Sequence, residues 1–175
     1  MNEKEILALL NESGCSLNVI EHCRAVAGLA GKIALDISKA SEIKGIPLNI
    51  DINDVYSGAL LHDIGRSRTH GIAHAVEGAR IAREKGLEKS LVNIIERHIG
   101  AGITKEEAAN IGLPIKDYLP QTLEEKIVAH ADNLIFGKNI GTIEECVVNL
   151  RKKGLGEAAI QRIIRLNDEI SEMSR

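Results

Sequence analysis

A chain of 175 residues, 44% of them hydrophobic and 27% charged, is long enough to bury a real core in one domain. A net charge of −3 argues against bulk nucleic acid as a partner. Phe136, Tyr56 and Tyr118 are the only aromatic rings apart from the histidines, too few for a single-strand stacking platform. No apolar run approaches the roughly 20 residues of a membrane span. Residues 1–5 lack a secretory pattern, so the expectation is a cytoplasmic protein with no membrane partner. Cys15, Cys23 and Cys146 form no CxxC pair and leave one thiol over in any disulfide scheme, which points to reduced thiols.

The chain reads as successive helices. Residues 4–12 place apolar groups at Ile6, Leu7, Leu9 and Leu10 and stop at Gly14. Ser16 can cap a long helix with Val19, Ile20, Cys23, Val26, Ala27, Ala30, Ile33, Ala34 and Ile37 at helical spacing. Residues 38–50, with Gly45 and Pro47, read as a loop, with a brief strand-like ambiguity at 46–52. Asp51 or Asn53 opens a helix ending near His62-Asp63. Helices are then expected over about 70–85, stopped by Gly86, and about 88–98. Three capping boxes follow: Thr104 with Glu107, Thr122 with Glu125, and Thr142 with Glu145. They start a short helix, a helix carrying Asp132 and a penultimate helix ended by Gly154. The last helix covers about 156–172. The expectation is one all-α domain over residues 1–175, without repeats or a linker.

His62-Asp63 ends an apolar run, Gly58-Ala-Leu-Leu-His-Asp-Ile-Gly-Arg66. Neighbours on a regular helix diverge by about 100°, so both side chains can face one point only where the helix ends or distorts. Gly65 supplies that irregularity. Asp132 is the only acidic residue in Ile127-Val-Ala-His-Ala-Asp-Asn-Leu134, and a carboxylate in such surroundings needs a cation or several donors. Imidazole and carboxylate together suit a divalent metal. With His22 on an earlier helix, these residues read as a metal site inside a helical bundle, each helix contributing one face.

In chain order, His22, His62-Asp63 and Asp132 resemble the H…HD…D signature of the HD superfamily of metal-dependent phosphohydrolases, over about residues 16–136. The whole looks like a small stand-alone archaeal-type HD protein. The resemblance implies an HD-domain helical bundle with a C-terminal helical extension over 137–175, and His22, His62, Asp63 and Asp132 as ligands of a first metal. His74-Ala-Val-Glu-Gly78 is similar to the H-x-x-x-G pattern of dinuclear members, and His98 falls where those proteins carry a helix-end histidine, which implies a second metal. Ile99 departs from the HD-GYP pattern, which has a second histidine there, and the GYP signature is absent. Both departures count against a cyclic-dinucleotide substrate.

The activity this implies is hydrolysis of a nucleotide or another small phosphoester or phosphodiester by a metal-activated water, with Asp63, Asp132 and Arg66 as catalytic residues. Arg66, Arg68 and His70 are the candidate phosphate-binding groups, because cations there would neutralise the substrate's charge. No thiolate joins the ligand set, so one or two ions of Mn, Fe, Co, Ni or Mg are expected. Two alternatives stand beside this reading: a metal-dependent nucleotide-binding regulator without turnover, and a di-iron oxygenase.

Overall fold

The computed structural model describes residues 1–175, and nine helices account for almost all of its regular structure. Helix α1 (Glu3–Ser13) starts on a full capping box from Asn2 and Glu5 and ends at Gly14, whose φ of 93° is open to glycine at little cost. Ser16 caps α2 (Leu17–Ile43) by accepting from the Val19 amide. This helix is the axis of the core. It buries Val19, Ile20, Cys23, Val26, Ala27, Ala30, Ala34 and Ile37 at three- and four-residue spacing, and the small side chains along that stripe let α3 (Ile52–Leu61) lie close against it.

The expected loop over 38–50 begins later than its polar composition suggested. Helix α2 runs on to Ile43 because Ala40 and Ser41 continue the buried stripe, and the Ser41 hydroxyl bonds back to the Ser38 carbonyl. Gly45, with φ 70°, then ends it. Asp51 caps α3 as expected. After α3 the chain tightens through Asp63 into a 3₁₀ turn, Ile64–Ser67. Helix α4 (His74–Glu84) starts four residues later than expected: Gly71 disfavours helix, and its carbonyl is already taken by the amide and Nδ1 of His74. Helix α5 (Lys89–Arg97) ends at His98.

Helices α6 (Lys105–Asn110), α7 (Leu123–Leu134), α8 (Ile143–Lys152) and α9 (Glu157–Met173) complete the series. The capping boxes at Thr104 and Thr142 are both present, whereas that at Thr122 is one-sided. Thr122 does accept from the Glu125 amide, but the Glu125 carboxylate is claimed by Arg97 and by the Gln121 amide. No strand forms at 46–52. The small β-hairpin, β1 (Ile135–Phe136) with β2 (Asn139–Ile140), instead follows α7 and turns at Gly137. Leu166 and Ile170 of α9 join the same apolar cluster as α1 to α5 and α7. The three cysteines are free and buried, and no helix is long and apolar enough to cross a membrane.

Two glycines set the distances that matter for the site. A Cβ on Gly58 would meet Ile94 Cδ1 at 2.6 Å, so α3 and α5 touch there. A Cβ on Gly65 would lie 1.9 Å from the His74 carbonyl oxygen and 2.5 Å from the Gly78 amide nitrogen, so the turn after Asp63 rests directly on the backbone of α4. Gly65→Ala is therefore expected to destabilise the protein by about 1–3 kcal/mol or more, since backbone has to move. Gly14→Ala, whose Cβ meets nothing within 4 Å, should cost only the left-handed penalty of about 1–2 kcal/mol. Chemical denaturation of both variants checks the order, which a milder effect at Gly65 would reverse.

Candidate metal centre

Five helices deliver the predicted ligands to one point. His22 comes from the second turn of α2, His62 and Asp63 from the residues that end α3, His74 from the first residue of α4, His98 from the end of α5, and Asp132 from α7. The end of α3 resolves the geometric difficulty of adjacent ligands: His62 keeps helical angles, while Asp63 turns away at φ −99°, ψ 14°. Their side chains then face the same centre.

Asp63 stands in the middle, its two oxygens addressing different pairs of histidines. Its Oδ1 lies 3.1 Å from His74 Nε2 and 3.6 Å from His98 Nε2. Its Oδ2 lies 3.7 Å from His62 Nε2 and 4.0 Å from His22 Nε2. Asp132 Oδ1 closes the second group, 3.0 Å from His22 Nε2 and 3.5 Å from His62 Nε2. His74 and His98 bring their Nε2 atoms within 3.1 Å of each other. Two triads, His22 with His62 and Asp132, and His62 with Asp63 and His98, each hold their ligand atoms within 4.8 Å of one another.

The tautomers follow from what lies behind each ring. His22 Nδ1 is 3.0 Å from the Gly137 carbonyl, His62 Nδ1 2.7 Å from that of Ala59, His74 Nδ1 2.8 Å from that of Gly71, and His98 Nδ1 2.7 Å from that of Ile95. A carbonyl only accepts, so each Nδ1 carries the hydrogen, and each neutral ring turns an Nε2 lone pair inward. Lone pairs then face carboxylate oxygens and one another across about 3–4 Å, an arrangement that repels unless a cation or protons lie between. His62 Nε2 and Asp63 Oδ1 are buried with no hydrogen-bond partner at all. Unpaired buried acceptors are costly, and a divalent cation satisfies them together. The donor set therefore fits such an ion: nitrogen and oxygen ligands without thiolate.

Protons compete for the same positions. Burial opposes charge on His62, but Cys23, Asp63 and Asp132 outweigh it and hold the imidazole well above its ordinary value. Burial alone would raise Asp63 and Asp132; the positive field of His62, joined by His74 and His98 at Asp63 and by His22 at Asp132, keeps both far below the usual carboxylate range. Both carboxylates are thus ionised, ready for a cation. His98 is pushed down, by burial first. A cation entering must displace protons, so metal affinity is expected to rise with pH, with proton release visible as buffer-dependent calorimetric heats. Buffer-independent heats would overturn this.

Three of the six candidate ligands, His74, His98 and Asp132, line an open cleft of about 680 Å³ together with Arg66, His70 and Asn133 among others. Arg66 donates from Nε to Asp63 Oδ2 at 2.5 Å and from Nη1 to the His70 carbonyl at 3.4 Å, which leaves Nη2 without a protein partner. His70 is exposed on the cleft wall, and Arg68 is exposed outside the lining. Three neighbours went unpredicted. Asn133 donates to the Gly100 carbonyl at 2.8 Å and ties α7 to the loop beyond His98; its place directly after Asp132 was the available clue. Asn149 and Lys153 reach the cleft from α8 and its C-terminus, and no local pattern announces them. Expected ligands sit on both sides of Asp63, so Asp63→Asn should lower occupancy of the whole site, whereas His74→Ala or His98→Ala should take a two-ion stoichiometry toward one. Elemental analysis after anaerobic reconstitution reads this, and one ion per chain in every variant and the wild type would overturn it.

Comparison with known proteins places these six residues in a familiar frame. A protein-family model described as the HD domain matches residues 19–137, which contain every ligand candidate. An uncharacterized protein of Methanocaldococcus jannaschii is 56% identical over 160 residues, 91% of each chain. The tRNA (cytidine(56)-2'-O)-methyltransferase of Thermoplasma volcanium is 46% identical over 170 residues, which are 97% of this chain but only 47% of that protein. The chain thus spans about half the methyltransferase. Among solved structures, the HD domain of the L. monocytogenes phosphodiesterase PgpH in complex with cyclic-di-AMP superposes with a TM-score of 0.53 at 16% identity, over 97% of this chain and 95% of that one. The helical architecture agrees with that neighbour, and by the family match over residues 19–137 this chain belongs to the HD-domain family.

Proposed function

We propose that this chain is a metal-dependent phosphohydrolase acting on a nucleotide or another small phosphoester or phosphodiester. The observation that carries the reading is the division of buried Asp63, with one oxygen toward His74 and His98 and the other toward His22 and His62, beside an open cleft that His74, His98 and Asp132 line. His22, His62, Asp63 and Asp132 would hold one ion, and His74, His98 and Asp63 a second. Bound divalent metal supplies a water acidified toward neutral pH and charge to neutralise phosphoryl oxygens. Family membership supports the hydrolytic class, as does the fold shared with the HD domain of the phosphodiesterase PgpH in complex with cyclic-di-AMP.

The protein's own groups supply positioning. Asp132 lines the cleft, where its carboxylate would orient the attacking water. Arg66 is anchored through Nε and Nη1, which presents its guanidinium on the cleft wall with Nη2 free for a phosphoryl oxygen. The same anchor makes Arg66 a neighbour of the metal ligand as well as a substrate group. His70 stands at the cleft surface as a second donor toward phosphate. Arg68, outside the lining, contributes only long-range attraction that salt screens. The methyltransferase activity named for the Thermoplasma protein belongs to a chain of which this one matches less than half.

A panel of phosphomonoesters, phosphodiesters and dinucleoside polyphosphates, assayed across Mn, Fe, Co, Ni and Mg, should show metal-dependent release of phosphate or nucleoside. Nucleotide binding with no turnover under any metal would select the regulator instead, and oxygen consumption by the iron-loaded protein with an organic substrate would select the oxygenase. Arg66→Ala is expected to lower kcat/KM on a phosphate ester by about 100-fold, the scale of losing one charge-stabilising donor. Arg66→Lys should recover only part, because an ammonium cannot reproduce the fork. Metal content measured on the same samples decides the cause: unchanged rates per bound metal would make Arg66 purely a support for Asp63.

A further inference from the structure

Helix α5 ends at His98 without the main-chain closure that most of the other helices have. In α1, α2, α4 and α9 the C-cap amide bonds back into the last turn. The His98 amide makes no main-chain hydrogen bond, and the first amide beyond it that does is that of Gly102, to the Ile99 carbonyl at 2.9 Å. Side chains from two later helices hold this loop instead. Asn133 of α7 donates to the Gly100 carbonyl at 2.8 Å, and Arg162 of α9 donates from Nη2 to the Gly102 carbonyl at 3.2 Å. Ile163 of α9 packs on Gly100, where a Cβ would lie 3.4 Å from Ile163 Cδ1. It also forms part of the wall between the metal cleft and a neighbouring cavity of about 410 Å³ that Arg162 lines. We propose that Arg162 and Asn133 are positioning residues for His98, and that α9, outside the residues matched by the family model, thereby sets how tightly the ion beside His74 and His98 is held. The proposal rests on the two-ion form of the phosphohydrolase reading for the ion, but not for the placing of the His98 ring.

Each brace is itself anchored. Arg162 shares Nη2 with the Glu107 carboxylate, which also accepts from the Thr104 amide at 2.8 Å in the capping box of α6. Burial opposes the charge on Glu107, but Arg162 and the Thr104 amide outweigh it and lower that carboxyl, so the pair is ionised at neutral pH. Helix α9 is fastened in turn by Leu166 and Ile170 in the core and by Glu169 on Lys126 at 2.6 Å. Asn133 directly follows Asp132, so one brace refers the loop to the helix that carries a ligand of the other group. The His98 ring is held to its own helix by Nδ1 on the Ile95 carbonyl at 2.7 Å, a bond that leaves the chain beyond it free to turn. Gly100 and Gly102 both stand at positive φ, 61° and 88°, and without the braces the last turn of α5 can unwind through them. The ring would then drift from Asp63 Oδ1, 3.6 Å away. His22 and His62 are oriented by the Gly137 and Ala59 carbonyls instead, so the loss falls on one side of Asp63.

NMR of the histidine ring nitrogens in the metal-free full chain, together with Mn²⁺ titration by calorimetry, tests this. Arg162→Met keeps the apolar stem and removes both donated bonds. It should shift the His98 ring signals and leave those of His22 in place. It should also weaken the second Mn²⁺ by about 10–100-fold, the scale of losing a group that orients a ligand, with the first unchanged. Arg162→Lys should recover part of that loss. Glu169→Gln is the control: it loosens α9 from α7 without removing either brace, and both ions should bind as in the wild type. If Arg162→Met fails to fold, Asn133→Ala, which opens the loop from the other side, carries the same expectations. Unmoved His98 signals would overturn the proposal. So would equal weakening of the second ion by Glu169→Gln, which would make Arg162 a fastener of α9 alone. A wild type that binds a single Mn²⁺ would sink the two-ion reading, and the His98 signals would then decide the brace by themselves.

Discussion

Everything in this protein is arranged around lone pairs that point at one another. Four imidazoles and two carboxylates meet in the middle of a helical bundle, and the hydrogen of each ring is already committed to a backbone carbonyl behind it. Such a cluster is costly to bury by itself. It becomes favourable only when positive charge is shared among the acceptors, by protons or by metal. The site is therefore coupled to folding through whichever cation occupies it, and the surrounding helices serve to hold the acceptors in place against their repulsion.

That holding is done by close backbone contact and by buried ion pairs. Gly65 and Gly78 let the turn after Asp63 sit on α4, which fixes His74 relative to Asp63. Arg97, the residue before His98, clamps Glu125 at the start of α7 with two contacts of 2.9 Å. Glu125 is almost wholly buried and also receives the Gln121 amide at 2.6 Å. One pair thus sets the position of His98 against the helix that carries Asp132. The β-hairpin after α7 has a matching task, since the Gly137 carbonyl at its turn orients His22.

The C-terminal helices stand outside the residues matched by the family model, yet they contribute to both cavities. Lys126 of α7 meets Glu169 of α9 at 2.6 Å, and Arg162 meets Glu107 at the far side. Leu166 and Ile170 dock into the main core. A wall built this way can vary in sequence without disturbing the cluster of histidines and aspartates.

Helix order, most caps and the residues that converge at the centre were legible in the sequence because they depend on local spacing: apolar groups every three or four residues, Ser16 and Asp51 before their helices, and a histidine-aspartate pair at a helix end. Asp132 stood out by its chemistry, as the one acidic residue of its stretch of helix. The misplaced boundaries had causes that apolar periodicity does not carry. Helix α2 continues past Ser38 because Ala40 and Ser41 find a buried face, and α4 starts at His74 because Gly71 turns its carbonyl to that ring. The Thr122 box lost its second half to Arg97, twenty-eight residues from Glu125. Which oxygen of Asp63 meets which histidine, which carbonyl fixes each tautomer, and how Asn149, Lys153 and Arg162 reach the cavities were decided by tertiary structure alone. Each depends on atoms brought within a few ångströms by packing between helices far apart in the chain, and no periodicity within a single helix encodes such a distance.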